Sequence, residues 1–172
     1  MPTFPELVEP VKSIASFPGW SAPEEVTGYI YFDAPLEIDG VIEANFQLHG
    51  GCIIRMPNRH VTFEIRMGRT AGRKHRPLAR LDWRSLHGGH SNKRRPVPDG
   101  VNVTRTSPTH LHGFDINWDA ARGRMCAPDL PFANDLDREL NDFLEVRQHA
   151  GFLFNINNMD LVTEPEWELG FL

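Results

Sequence analysis

Alternation of apolar and polar residues over short stretches is the feature that most limits the folds open to this chain. Residues 61, 63, 65 and 67 are apolar and their neighbours are polar, which predicts a strand over His60–Met67 with one buried face. The same pattern predicts strands over Pro77–Arg84 and Thr109–Trp118. Strands of this kind pair most readily in antiparallel sheets that have one polar face.

Asp39-Gly40 separates two further strand-like stretches. Both central residues of a type I′ turn need positive φ, and Asp-Gly satisfies that need, so the dipeptide predicts a hairpin. Gly28–Asp33 is predicted as the first strand, and the hairpin arms that follow are Pro35–Ile38 and Val41–Leu48. Gly50-Gly51 is predicted to interrupt the strand pattern.

Asp135–Ala150 is the one stretch with a helical pattern. Asn134 is the predicted N-cap, Gly151 the predicted stop, and a last strand is predicted over Phe152–Ile156. The expected class is α+β and strand-rich. It consists mainly of antiparallel sheet with about six or seven strands and one C-terminal amphipathic helix.

The length of 172 residues and the content of 40% apolar residues are typical of one domain over residues 1–172. Within it, residues 1–21 are predicted to form an irregular N-terminal arm, and residues 86–103 a long basic loop. The sequence shows no bilayer-spanning apolar run and no secretory signal. Cys52 and Cys126 are interpreted as free thiols. We therefore expect a cytoplasmic protein that does not associate with a membrane.

Charge is distributed unevenly along the chain. From Arg55 to Arg105, 13 Arg and Lys residues stand against three acidic residues, although the formal net charge of the whole chain is −5. A basic centre between acidic flanks predicts a cationic surface for phosphate groups. In the alternative interpretation, the flanks fold over the centre and neutralise it.

His110 and His112 are the leading candidates for chemistry. Residues two apart on a strand point to the same side, so both imidazoles are expected to reach one ligand or ion. They are predicted to act as acid and base or as ligands of a divalent metal ion. In the alternative interpretation, both are structural residues at the polar end of a core face.

Two groups are predicted to complete this site. His90 is a candidate third catalytic residue or metal ligand, Asp82 is a candidate fourth ligand, and Asn92 is predicted to orient a substrate. Arg80 and Arg84 are predicted to hold a phosphate group, because a guanidinium matches phosphate in a bidentate manner. The remaining predicted substrate-binding residues, which would steer the ligand, are Lys93, Arg94 and Arg95.

The order Arg-Leu-Asp at 80–82, His-x-Asn at 90–92 and Thr-His-x-His-x-Phe at 109–114 resembles a pattern in small uncharacterised bacterial proteins. In those proteins, Arg-Leu-Asp also precedes a His-x-Asn loop and a strand that begins Pro-His-x-His. Here Thr109 stands where proline is expected, and the intervening loop is longer and more basic. The resemblance implies a bacterial cytoplasmic protein with a histidine-centred site, and it transfers no activity.

The leading hypothesis from these residues is an enzyme that acts on phosphodiesters, namely an RNA-cleaving protein of the bacterial toxin or defence type. It would work with no cofactor or with a divalent metal ion, and RNA would be its partner. The competing hypothesis is a non-enzymatic antitoxin, inhibitor or immunity-like protein that binds a partner protein and has structural histidines. Small-molecule binding in a strand-lined pocket is a third hypothesis. The sequence carries no indication of an oligomeric state.

Overall fold

A seven-stranded antiparallel sheet dominates the computed structural model, which describes residues 2–68 and 74–168. In spatial order its strands are β1 (Ser13–Ile14), β2 (Tyr29–Ile38), β3 (Val41–Ile53), β4 (Val61–Met67), β5 (Arg76–Trp83), β6 (His110–His112) and β9 (Asn134–Asp135). A separate pair is formed by β7 (Trp118–Asp119) and β8 (Arg124–Met125). The helices are α1 (Phe4–Val8), α2 (Phe114–Asn117), α3 (Phe143–Phe154) and a 3₁₀ turn, Met159–Leu161. The predicted strand-rich α+β class is confirmed.

One face of the sheet is buried against α3 and forms the core. Phe143 lies in edge or tilted contact with the rings of Trp20, Phe63 and Trp167. The indole Nε1–H of Trp83 donates to the Leu140 carbonyl just before α3. Each large apolar side chain buried in this way contributes about 1.5–3 kcal/mol to the free energy of folding.

Among residues 2–68 and 74–168, none of the helices has the length and hydrophobicity that a membrane span requires.

The predicted hairpin joins β2 to β3. Asp39 and Gly40 both have positive φ, at 51° and 77°. The predicted interruption at Gly50-Gly51 is wrong, because β3 runs on through both glycines. A Cβ at Gly50 would overlap the ring of Phe32 on the core face, and one at Gly51 would overlap the hydroxyl of Tyr29 on the opposite face. These glycines make room for rings from the neighbouring strand.

The C-terminal helix lies further along the chain than predicted. Asp142 is the N-cap of α3 and accepts from the Glu145 backbone N–H at 2.9 Å. The predicted cap, Asn134, belongs to β9 instead, and its side chain bonds the loop residues Gly100 and Asn102. The Asn134 side chain is suited to capping but makes tertiary contacts here, so its local preference predicted the wrong first residue for the helix.

Gly151 does not stop the helix, and the predicted strand over Phe152–Ile156 is wrong. Helix α3 continues to Phe154 and ends at Asn155, which has φ of 53°. A side chain at Gly151 would press on Met159, so this glycine serves a close approach between segments. The predicted strand over Thr109–Trp118 is also shorter than expected, because it ends at His112 and α2 follows.

Residues 2–21 are more regular than the irregular arm predicted for residues 1–21. They contain α1 and β1, and Lys12 fixes them to the body of the protein. The Lys12 ammonium is buried and donates to the carbonyls of Val8, Pro10 and Phe154 at 2.7–2.8 Å. Burial lowers the pKa of Lys12 to about 8, so the ammonium is still charged at neutral pH. Its three N–H donors are then matched by three acceptors.

We expect Lys12→Met to lower the free energy of unfolding at pH 7 by about 2–4 kcal/mol, because it leaves three carbonyls without their donor. Denaturant unfolding followed by circular dichroism measures this change. Lys93→Met removes an exposed lysine and should change the free energy by less than about 0.5 kcal/mol. Equal stability of the two variants would contradict the anchoring role of Lys12.

Candidate functional site

The face of the sheet opposite the core carries a row of polar residues in register. Asp33 on β2 pairs with His49 on β3, His49 with Glu64 on β4, Glu64 with Arg80 on β5, and Arg80 with His112 on β6. Residues directly opposite each other in adjacent strands share one face. Five strands therefore bring their polar side chains together on this face.

Asp82, His110 and His112 form a compact cluster at one end of this face. Their three ligand atoms all lie within 4.8 Å of one another. The Nε2 atoms of His110 and His112 are 3.4 and 3.7 Å from Asp82 Oδ2. The register explains this convergence, because Asp82 pairs directly with His110 and His112 lies two residues further along the same strand.

Backbone carbonyls determine which nitrogen of each ring points at Asp82. The hydrogen-bond network assigns His110 Nδ1–H as donor to the Ser107 carbonyl at 3.0 Å and His112 Nδ1–H as donor to the Phe132 carbonyl at 3.1 Å. In a neutral ring, Nε2 then carries the lone pair. A lone pair that faces a carboxylate is repelled unless a proton or a cation lies between them. Imidazoles that bind metal ions are commonly held in this way.

Arg80 supplies a cation beside the cluster. Its Nε donates to Asp82 Oδ2 at 2.7 Å, and its Nη2 donates to His112 Nε2 at 2.9 Å. The guanidinium thus contacts two of the three ligand atoms. A metal ion bound by the whole cluster must displace the contact between Arg80 and His112.

The surroundings keep Asp82 charged and His112 neutral. Burial opposes ionisation of Asp82, but the adjacent His110 ring, the Arg80 guanidinium and a hydrogen bond from the Thr62 hydroxyl together lower its pKa well below the usual range. Burial, assisted by the Arg80 cation, lowers the pKa of His112 to about 3. At neutral pH these are the protonation states that bind a metal ion.

The spacing of the cluster fits a divalent ion. Ligand atoms about 2.0–2.2 Å from a tetrahedral ion are roughly 3.4 Å apart, which is close to the two Nε2–Oδ2 distances. Two imidazoles and one carboxylate suit first-row transition metals such as zinc, iron and manganese. With three protein ligands, at least one coordination position is left for water or substrate, as in catalytic sites.

The cluster lies at the side of a cleft of about 480 Å³. Six of the eight histidines line this cleft, which also contains Glu64, Asp82, Arg66 and Arg80. Its formal charges therefore balance when the imidazoles are neutral. The lining histidines are His49, His60, His75, His87, His90 and His110.

The cleft residues that the sequence interpretation missed include Tyr29, His49, Glu64 and Arg66. Asp33 Oδ1 accepts from His49 Nδ1 at 3.0 Å and from Arg66 Nη2 at 2.6 Å. Arg66 Nη1 also lies 3.5 Å from Glu64 Oε1. The available signal for Glu64 and Arg66 was the alternation itself, since they occupy polar positions of a strand whose apolar positions predicted the core.

His90 lies beside the cluster but outside it. Its ring centroid is 4.6 Å from that of His112, and its Nε2–H donates to the Pro131 carbonyl at 2.8 Å. The compact group of ligand atoms does not include it. His90 therefore lines the cleft next to Asp82, His110 and His112, and its predicted catalytic role stays a prediction.

Asn92 is buried and holds two loops together. Its Nδ2 donates to the carbonyls of Val103 and Ala133 at 2.8 Å, and its Oδ1 accepts from the Ala133 N–H at 2.9 Å. These bonds use both amide donors, and Asn92 is not among the cleft-lining residues. Its environment favours a structural role over the predicted contact with substrate.

The predicted phosphate-binding residues do not gather in one place. Arg80 lines the cleft, whereas the exposed Lys93, Arg94 and Arg95 are not among its lining residues. Arg84 follows β5 with φ of 48°, and its guanidinium lies over the Trp83 ring and donates to the Asn58 carbonyl. The positive φ turns Arg84 away from the strand alternation that Arg80 and Asp82 obey.

Models of protein families, curated proteins and solved structures give no match to this chain. The interpretation of the cleft therefore depends on its own geometry.

Asn92→Ala should lower the free energy of unfolding by about 2–4 kcal/mol, because it leaves a buried N–H and two carbonyls without partners. Thermal unfolding measures the loss. Arg94→Ala, two residues away and exposed, is the control and should leave stability unchanged. An Asn92→Ala protein of normal stability and altered ligand binding would instead support the substrate-orienting role.

Proposed function

We propose that this protein is a divalent-metal-dependent phosphodiesterase of the nuclease type, with RNA as its expected substrate in the bacterial cytoplasm. One observation carries the proposal, namely the convergence of His110 Nε2, His112 Nε2 and the Asp82 carboxylate. A bound ion would polarise a phosphoryl oxygen and lower the pKa of a coordinated water.

The protein's own groups have separate tasks in this proposal. Asp82, His110 and His112 bind the ion, and the carbonyls of Ser107 and Phe132 orient the two imidazoles. This division favours metal ligation over acid–base catalysis for His112, because the ring is fully buried and both of its nitrogens are hydrogen-bonded.

Arg80 is the proposed phosphate-binding residue. Once an ion occupies His112 Nε2, the guanidinium loses that partner and can turn its freed N–H groups towards the substrate. Arg80 is about one-third exposed, so it can reach both the cluster and the open cleft. A planar guanidinium suits the negative charge of a phosphate that is being cleaved.

The cleft also offers a neutral hydrogen-bond donor for the phosphate group. His60 Nδ1 accepts from the Leu86 backbone N–H at 3.2 Å, which places the proton of the neutral ring on Nε2. In the proposed step, the water oxygen bonds to phosphorus and the ester P–O bond breaks; the water releases one proton to solvent, and the leaving oxygen takes one proton from solvent. The role assigned to His60 is a hydrogen bond from Nε2–H to a phosphate oxygen, because a neutral imidazole does not give up its only N–H proton.

We expect the wild-type protein to bind one Zn²⁺ or Mn²⁺ ion in calorimetry and to cleave labelled RNA until a chelator is added. Asp82→Asn, which nearly preserves shape, and the double variant His110→Ala/His112→Ala should each weaken metal binding by at least about 100-fold and abolish cleavage. His149→Ala removes a histidine of α3 and is the control. A folded wild-type protein that binds no divalent ion, or cleavage that survives the double variant, would contradict the proposal.

Arg80→Met should tighten metal binding by about tenfold, because it removes a cation that competes for His112 Nε2. The same variant should lose RNA cleavage, since the phosphate loses its guanidinium. Arg80→Lys keeps the charge, so its metal affinity and its rate of RNA cleavage should lie between those of the wild type and those of Arg80→Met. If metal binding weakens in Arg80→Met, Arg80 supports the ligands and does not compete with the ion.

A further inference from the structure

Three aromatic rings of β2 and β3 form a surface where the cleft meets a second pocket, and Tyr31 lines that second pocket only. Tyr29 and Tyr31 lie with ring centroids 6.3 Å apart and planes inclined by 21°, and the ring of His49 lies 6.1 Å from Tyr31. Tyr31 is 44% exposed, although it lies within a strand. We call these three residues the aromatic platform.

The platform is held in place by its own contacts. The Tyr29 ring lies over Gly51, where no side chain intervenes, and its hydroxyl is 3.4 Å from His49 Nε2. His49 is fixed in turn by Asp33. The backbone of Tyr31 exchanges two hydrogen bonds with Ser21, so the strand beneath the platform is paired on both sides. An exposed aromatic ring on a rigid strand is suited to stacking against a planar ligand.

A cation with an unused donor lies next to the platform. The Arg66 side chain is only 9% exposed, and its Nη2 bonds Asp33. Its Nε–H has no hydrogen-bond partner among the described residues. A buried donor without an acceptor costs about 1–3 kcal/mol. Because the Nε atom has almost no exposed surface, the Arg66 side chain must shift before this donor can meet an anionic group. Arg66 and His75 both line the cleft at this end.

We propose that the aromatic platform stacks the bases of a single-stranded nucleic acid, with a backbone phosphate near Arg66 and His75. Base stacking on aromatic side chains combined with a nearby cation is how proteins bind single strands without reading their sequence. The proposal deepens the phosphodiesterase function and rests on it for the direction of the strand, which would run from the platform to the Asp82 cluster.

The distances suit an oligonucleotide. Tyr31 on β2 and Asp82 on β5 are three strand spacings apart, which is about 14 Å. This equals about four nucleotides at the ~3.4 Å rise of a stacked strand. A duplex cannot offer its bases to the platform, because they are stacked on one another and paired. The substrate should therefore be a single strand of several nucleotides.

The test is the binding of fluorescein-labelled octauridylate, octathymidylate and a duplex octamer, measured by fluorescence anisotropy in EDTA so that no cleavage occurs. The wild-type protein should bind the single strands at least tenfold more tightly than the duplex. Tyr31→Ala should weaken single-strand binding by about tenfold or more, because one stacking partner is lost. Tyr31→Phe keeps the ring and should bind like the wild type.

Phe152→Ala is the matched control, since Phe152 is an aromatic residue of α3 that is 77% exposed. It should leave anisotropy unchanged. Unaltered thermal unfolding of Tyr31→Ala would exclude a folding defect. Single-strand binding by Tyr31→Ala equal to that of the wild type, or duplex binding as tight as single-strand binding, would overturn the proposal.

The two proposals fail in different ways. Calorimetric binding of Zn²⁺ or Mn²⁺ reports only the metal cluster, so Tyr31→Ala should leave the metal affinity unchanged. If the wild type binds single strands through Tyr31 but binds no metal ion, the platform stands and the phosphodiesterase function fails. If it binds metal ions and cleaves RNA but Tyr31→Ala has no effect on oligonucleotide binding, the phosphodiesterase function stands and the platform fails.

Discussion

Antiparallel pairing across β2 to β6, with register shifts only between Pro35 and Glu37 in β2 and between Ile65 and Arg66 in β4, is the constraint on which the rest of this structure depends. Because side chains alternate between faces, this pairing places Phe63, Leu81 and Leu111 against the core and Glu64, Asp82 and His110 in the cleft. A shift of one residue would exchange the two sets. The buried apolar face therefore specifies the polar site, even though it contributes no atom to it.

Much of this arrangement could be predicted from the sequence, and the reasons differ between regions. The hairpin at Asp39-Gly40 and the alternation in β4 and β5 are local patterns, and the structure agrees with them. The cluster of Asp82 with His110 and His112 followed from the same alternation. The position of Asn134 in β9 could not be predicted, because its side chain is used by loop residues far away in the sequence. The position of Tyr29 and His49 at the end of the cleft could not be predicted, because it depends on how β2 pairs with β3. The pattern of a single strand does not reveal that pairing.

The electrostatics of the cluster centre on Arg80. A buried carboxylate and a buried neutral imidazole are compatible only when something positive lies between them or next to them, and the guanidinium meets that condition. The guanidinium thereby stabilises the charge of Asp82 beside the neutral His112 ring. The same contact opposes the binding of an ion, since the ion and the guanidinium compete for His112 Nε2.

Lys12 has a consequence for how the chain reaches its native state. Its partner at Phe154 lies 142 residues away, and Ile14 in the next strand bonds Asn158. During synthesis, the Lys12 ammonium stays in water until the ribosome has added the last turn of α3. A ribosome-bound chain that stops before this turn would have its central strands but no docked N-terminal segment. Docking of that segment is therefore a late event in folding, and it makes the stability of the two ends of the described chain interdependent.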